Sequence, residues 1–403
     1  MKRFLLGIFL FFLLSTCSSK QIEKAAGEFM PGEAHYVIDL DGSLEESVYY
    51  SSVFKNVRTI ILETSRNCLI GATTELQIFD SCIYLLDARV AKSLFVFDME
   101  GRFIRKIGSL GNGPGEYAVI KDFTLDTENG VIYLLDQRHR VHKYQLDGTF
   151  IHSITIQMPQ ANSFFIQYYK ERLYSSFLPN LRTKYDNMLL EIDPADGKIL
   201  SQSLPVKYNK GWAEAYFSDN FFKSRLNKPP MYSQFFMDFI VSIGEEVTPY
   251  IELKSRNFFT ENDFGNFPKG MPHSEMLMSF QGTSKIWNVH CYIENDDFIL
   301  FKCRSGFFDS FTVIFNKKTE TVKLAKKISN DLVIKKGNDT KSIFGRFKFS
   351  DSKGAYEIIS PNAIIRFLEY VKSDEIIPNL DKMSQLKKLD EESNPIIFYY
   401  EFK

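Results

Sequence analysis

The sequence predicts an all-β fold of repeated four-stranded antiparallel sheets, the arrangement of a β-propeller. Three observations predict it. The pentapeptide "IYLLD" begins at Ile83 and again at Ile132, an offset of 49, and the glycines of the turns that follow, Gly101 and Gly148, are offset by 47. Glu-Gly, Asp-Gly and Asn-Gly pairs separate the apolar segments, and such pairs close tight hairpins. The chain also carries 38 Phe and 20 Tyr among 403 residues, and aromatic side chains pack well on pleated faces. Sheets that recur every 40 to 50 residues or so are blades.

Taken in chain order, the first element is "MKRFLLGIFLFFLLSTCSSK". Lys2 and Arg3 precede an apolar run from Phe4 to Leu14, too short for the roughly 20 residues that span a bilayer and suited to an export signal. Leu14 and Cys17 fit a lipobox, in which the cysteine becomes the lipidated first residue. Residues 1–16 are thus expected to be a lipoprotein signal peptide, and residues 17–56 a tether and N-terminal extension with a short packed segment, "HYVIDLDG". The propeller is expected over residues 57–403.

"VRTIILE" (Val57 to Glu63) reads as a strand without a neighbour in sequence. The first blade follows, with "CIYLLDARVAKSLFVFDMEGRFIRKIG". The stretch "IRKIGSLGNGPGEY" has three alternating glycines, but its spacing excludes a phosphate loop. A dinucleotide fingerprint from Gly111 needs glycine where Glu116 stands, and a P-loop through Gly108 and Gly113 meets Pro114 and Gly115 in place of lysine and a hydroxyl. The segment after it alternates as a strand. The stretch therefore links one blade's outer strand to the next blade's inner strand, with Gly supplying positive φ and Pro114 stiffening the bend. Glu116 and Tyr117 are then expected near the mouth of the channel.

The second blade is "IKDFTLD" with "VIYLLDQRHRVHKYQLDGTFIHSI". The third uses "SFFIQYYK", "RLYSSFL", "MLLEIDPADG" and "KILSQSL"; the fourth uses "DNFFKS", "MYSQFFM", "FIVSIG" and "VTPYIELK". Asn257 to Met278, rich in Phe, Gly and Pro, reads as an inserted loop. The fifth is "KIWNVHCYI", "DFILFKC", "FTVIFNKKTE" and "TVKLAKKI". The sixth has "SIFGRFKFS", "GAYEIIS" and, after a helical insertion over about 361–392, "PIIFYYEF". It lacks one strand, and "VRTIILE" lacks a partner. Pairing the two closes the ring and hides both sheet edges.

These units resemble NHL-type repeats, and "TIILETSRNCLIG", "FVFDMEGRFIRKIGSLGNGPGEY", "YLLDQRHRVHKYQLDG" and "SNPIIFYYEFK" resemble the six-bladed β-propeller lipoproteins of Bacteroidetes. The resemblance implies six blades and a lipid anchor on Cys17. Surface-exposed members often carry an acidic run after the cysteine; "SSKQIEK" has none, which implies an outer-membrane lipoprotein facing the periplasm.

The net charge of −1 gives no argument for nucleic acid. With a turn at Glu294 to Asp297, Cys291 is expected opposite Leu300, which leaves Cys291 and Cys303 unbridged. Cys68, Cys82, Cys291 and Cys303 read as free thiols, and no Cys/His spacing suggests zinc. The six histidines show no catalytic spacing, so neither a catalytic set nor a cofactor is assigned. Asp87 and Asp136 end the "IYLLD" strands and read as caps of the loops after them. Those loops carry Arg89, Lys92, Arg138, His139 and Arg140. With Glu116 and Tyr117 they form the expected ligand or partner face, since the planar guanidinium fork suits carboxylate and sulfate. Asp122 is expected near the axis. Trp212 and its aromatic neighbours read as core at a blade boundary, and the stripe of Ile364, Phe367 and Leu368 as packing on the propeller. The expected function is a binding or scaffold module for a protein partner or glycan. The alternative is a metal-dependent lyase or hydrolase with its site in the channel.

Overall fold

The structure, a computed structural model, describes residues 34–157, 163–177, 187–205, 221–223, 228–265, 268, 271, 273–306, 309–335, 343–372, 375–377 and 381–403. Six small sheets form a ring. The first blade is Glu75–Phe79, Cys82–Asp87, Ser93–Asp98 and Phe103–Ile107, in that order from the axis outward. The second is Ile120–Asp126, Val131–Asp136, Arg140–Gln145 and Phe150–Thr155; the third is Ser163–Tyr169, Arg172–Phe177, Asn187–Ile192 and Ile199–Pro205. The fourth runs from Phe221–Phe222 through Met231–Tyr232 and Phe239–Ile243 to Val247–Lys254. The fifth is Ile286–Glu294, Phe298–Ser305, Asp309–Asn316 and Thr321–Ser329.

The sixth blade joins the two ends of the chain. Phe347–Ser350, Gly354–Ile359 and Ile396–Phe402 are completed by Phe54–Ile61, which pairs antiparallel with Ile396–Phe402 and sets Arg58 opposite Tyr399. Closure also shows in the packing. Each neighbouring pair of blades shares its own hydrophobic cluster, and the last unites Ile60, Phe349 and Ile397 of the sixth blade with Leu76, Ile83 and Phe95 of the first. Middle strands are thus covered on both faces, which is why "SLFVFD" reads as a continuous apolar run, while the outer "FIRKI" alternates. Each Phe or Leu buried this way contributes about 1.5–3 kcal/mol.

The N-terminal extension is more than a tether. Tyr36–Asp39 lies parallel to Val247–Lys254, and Leu44–Tyr49 lies parallel to Thr321–Ser329. The chain therefore covers the outer edges of the fourth and fifth blades before it enters the sixth. Asn257 to Met278, expected as a loop, holds two short helices, Glu261–Gly265 and His273–Ser279. Phe259, Met276 and Phe280 of this region pack with Phe235, Phe236 and Trp287. The helix Pro361–Tyr370 begins at Ser360, whose side chain accepts from Ala363 N, and buries Ile364 and Phe367 against the fifth and sixth blades, as expected.

One register differs from expectation. Ile293, not Cys291, stands opposite Leu300, because the hairpin closes over Asn295 to Phe298, with Asn295 N donating to Phe298 O, one residue later than expected; a bulge between His290 and Ile293, with Cys291 at φ +55°, then shifts the pairing by one. All four described cysteines are free. Trp212 and Cys17 lie outside the described residues.

Candidate functional site

Because each blade is an antiparallel meander, the links between blades and the loops joining second to third strands emerge on one face, here called the loop face. The remaining hairpins lie on the opposite face.

On the loop face the carboxylates are occupied by backbone amides. Asp87 Oδ2 accepts from Gly71 N and Ala72 N at 2.8 and 2.9 Å, and Oδ1 from Arg89 N and Val90 N at 3.1 and 2.8 Å. Asp136 accepts from Arg138 N and Ala118 N, and from Arg140 Nη2 at 3.4 Å. Both side chains are fully buried. Burial alone would raise these carboxyls, but the amides outweigh it and hold both below the usual carboxylate range. Each aspartate ties the incoming link to its own loop, so both are structural caps, as expected.

The glycine stretch is a link. Gly108 has φ +65°, and a Cβ there would meet the Tyr144 hydroxyl at 2.5 Å and the Tyr117 ring at 2.9 Å. Tyr144 in turn donates to Gly115 O at 2.8 Å. The expectation for Tyr117 is corrected: it is wholly buried in the cluster between the first two blades, with Phe123 and Tyr144. It packs there because the two glycines let the link fold closely around it. Glu116 folds back on its own loop and accepts from Gly113 N at 2.8 Å.

The cations divide into two groups. Arg89 and Arg138 are exposed and Lys92 is half-buried at φ +50°. Among the described residues Arg138 reaches only Asn112 Oδ1, at 3.5 Å. Arg140 and His139 are drawn inward: Arg140 by its pair with Asp136, and His139 by burial, which lowers its pKa against the pull of Asp136. Arg89 and Lys92 sit on the first blade and Arg138 to Arg140 on the second; no contact joins the two sets among the described residues.

Asp122 is near the axis, as expected, and it is paired. Its Oδ1 receives Lys223 Nζ at 2.7 Å and its Oδ2 receives Ile166 N at 2.8 Å, so one carboxylate links the second, third and fourth blades. Both side chains of this pair are only 2 % exposed. Lys223 was not singled out from the sequence.

On the opposite face a cleft of about 580 Å³ opens between the sixth and first blades. Arg58, Asp80, Asp351, Lys353, Tyr356 and Tyr399 line it. The two tyrosine rings stand 4.8 Å apart, and the Arg58 guanidinium is 5.9 Å from the Tyr399 ring. Burial pushes the Tyr399 hydroxyl up to about 12, so it is neutral at ordinary pH. Among the described residues no three His, Cys, Asp or Glu side chains converge as a metal site. No described helix is long and apolar enough to cross a membrane.

The model of the family described as domain of unknown function DUF4934 matches residues 35–401. Comparison with curated proteins finds no match. Among solved structures, the chain is similar to a protein of Bacteroides fragilis described as exported, with a TM-score of 0.71 at 18 % identity, covering 91 % of this chain and 99 % of that one. At that identity the likeness shows the fold alone, and it is the fold of six blades described above. Structures of U3-55K and of the RRP9 WD40 repeats reach TM-scores of only 0.43 and 0.42, each at 10 % identity, covering 85 % and 86 % of this chain and 98 % of each of those, and carry no argument.

Proposed function

The chain belongs to the DUF4934 family, and we propose that it is a lipid-anchored, extracytoplasmic propeller that binds a protein partner or glycan through anionic groups, without catalysis. One observation carries the reading. Around the first two blades the loop-face carboxylates of Asp87, Asp136 and Glu116 are taken up by backbone amides, while Arg89, Lys92 and Arg138 form no ion pair among the described residues. This part of the face therefore presents positive charge outward, in a form suited to carboxylate or sulfate.

The anchor on Cys17 agrees with this arrangement. The 18 residues from Cys17 to Ala34 reach at most about 60 Å when extended. The described chain begins at the rim of the fourth blade, so the lipid would hold the propeller by its edge and leave the loop face open. The exported description of the Bacteroides fragilis protein agrees with export of this one.

The test is recovery of a partner from detergent extracts by the wild-type chain and by Arg89→Gln/Arg138→Gln. Recovery is expected to fall in the variant and to weaken with added salt. Unchanged recovery would refute the loop-face reading. In parallel, Cys17→Ala should move the chain from the membrane to the soluble fraction.

A further inference from the structure

Across the ring from the second blade, four cations converge on one imidazole. In the inner strands of the fifth blade His290 stands directly opposite Lys302, and Asn288 opposite Arg304. Lys302 and Arg304 share a strand face with Leu300, which belongs to the core shared with the sixth blade, so both side chains lean toward that blade. There the Lys302 ammonium lies against Gly345; a Cβ on that glycine would be 2.7 Å from Nζ. Arg346 and Lys348 follow, both exposed. None of the four forms an ion pair among the described residues.

The nearby acid is engaged through one oxygen only, and Glu357 Oε2 is buried without a partner. Glu357 Oε1 accepts from the Tyr50 hydroxyl at 2.9 Å and from Arg346 N at 2.6 Å, and burial raises its pKa. His290 Nδ1 is 3.2 Å from Cys291 Sγ, whose burial keeps it a thiol. Burial, then Arg304, Lys302, Arg346 and Lys348, press the imidazole down to about 3, so it is neutral. Whichever way the Nδ1–Sγ contact runs, Nε2 is a buried atom without a partner. A buried polar atom left unpaired is costly, and like charges held together add to the cost. An anion offsets both.

We propose that His290, Lys302, Arg304, Arg346 and Lys348 form a binding site for an oxyanion: the sulfate, phosphate or carboxylate group of a ligand entering from the loop face. The site lies on the fifth and sixth blades and does not depend on the Arg89 and Arg138 loops. With the ring hydrogen on Nε2, His290 donates one hydrogen bond; Arg304 and Arg346 supply planar forks, and Lys302 and Lys348 add point charges.

The purified chain would be titrated calorimetrically with sodium sulfate, phosphate and acetate at constant ionic strength. Saturable one-site binding is expected for at least one of them, and their ranking identifies the group. Arg304→Gln/Lys348→Gln should weaken it about tenfold or more, whereas Lys326→Gln, which changes an exposed lysine paired with Glu46 on the outer strand of the fifth blade, should leave it unchanged. If the double variant fails to fold, Lys348→Gln alone changes an exposed side chain and should weaken binding several-fold with unaltered unfolding. Absence of saturable binding by all three anions overturns the proposal. So does equal affinity in the Lys348→Gln chain, or loss of binding in Arg89→Gln/Arg138→Gln but not in Lys348→Gln.

Discussion

Replacing Gly101 by alanine should cost far more stability than replacing Gly148, although both occupy the same turn of neighbouring blades. Both have positive φ, +87° and +89°, so each substitution pays about 1–2 kcal/mol for a left-handed residue. The surroundings differ. A Cβ on Gly101 would lie 2.2 Å from Ile61 O, at the end of the closing strand, and this approach is fixed by the 2.7 Å hydrogen bond from Glu63 N to Gly101 O. A Cβ on Gly148 would make only ordinary contacts, with the Ile107 methyl at 3.4 Å, Lys106 O at 3.7 Å and the Arg105 Cδ at 3.8 Å. Moving a paired backbone aside adds about 1–3 kcal/mol, so Gly101→Ala should lose about 2–5 kcal/mol and Gly148→Ala about 1–2 kcal/mol. Urea unfolding followed by circular dichroism would measure both at a common slope. Gly197 repeats the Gly101 geometry, 2.2 Å from Thr155 O, and should behave like Gly101. Equal losses at Gly101 and Gly148 would refute the view that the close approach to Ile61 O, and not positive φ alone, sets the cost at Gly101.

Lys223→Met should destabilise the chain by about 3–5 kcal/mol, because it leaves the Asp122 carboxylate buried without its cation; a loss below about 1 kcal/mol in urea unfolding would contradict the bridge between blades. Asn394→Ala should cost about 2–4 kcal/mol, since the buried amide accepts from Ile70 N and donates to Glu63 O and Cys68 O. Stability should also fall in mild acid. The His290 pKa is about 3 in the folded chain against 6.5 unfolded, so the unfolded chain takes up the proton first. The contribution is complete above 6.5 and is lost as pH falls toward 3, amounting to about 2 kcal/mol between pH 7 and 5. His290→Gln should flatten that part of the pH profile; an unchanged slope would count against a neutral, buried imidazole.

The parts legible in the sequence were those with local signals. Strands covered on both faces appear as unbroken apolar runs, acidic-Gly pairs mark the turns, and the orphan "VRTIILE" matches a blade short of one strand. Asp87 and Asp136 were readable as caps because aspartate at a strand end accepts loop amides. Of the two rim strands, Tyr36–Asp39 falls in the expected packed segment, whereas "LEESVY" was not readable: it is half exposed and largely polar, and its parallel partner Thr321–Ser329 lies far along the chain. Tyr117 looked like a loop residue because nothing local shows Tyr144 closing over it. The basic cluster was hidden for a similar reason. Lys302 and Arg304, like Arg346 and Lys348, look like ordinary alternating polar positions until the fifth and sixth blades bring them together.

Everything said of the two faces depends on the ring being shut by its own ends. Arg58 and Tyr399 are directly opposed on the closing strands, at a Cα separation of about 4.5–5.5 Å that a disulfide can bridge. Mild oxidation of Arg58→Cys/Tyr399→Cys, read by peptide mapping and circular dichroism, should give a link within one chain and an unchanged spectrum. A chain that stays unlinked, links only to a second molecule, or loses its sheet signal on linking would contradict the closed ring.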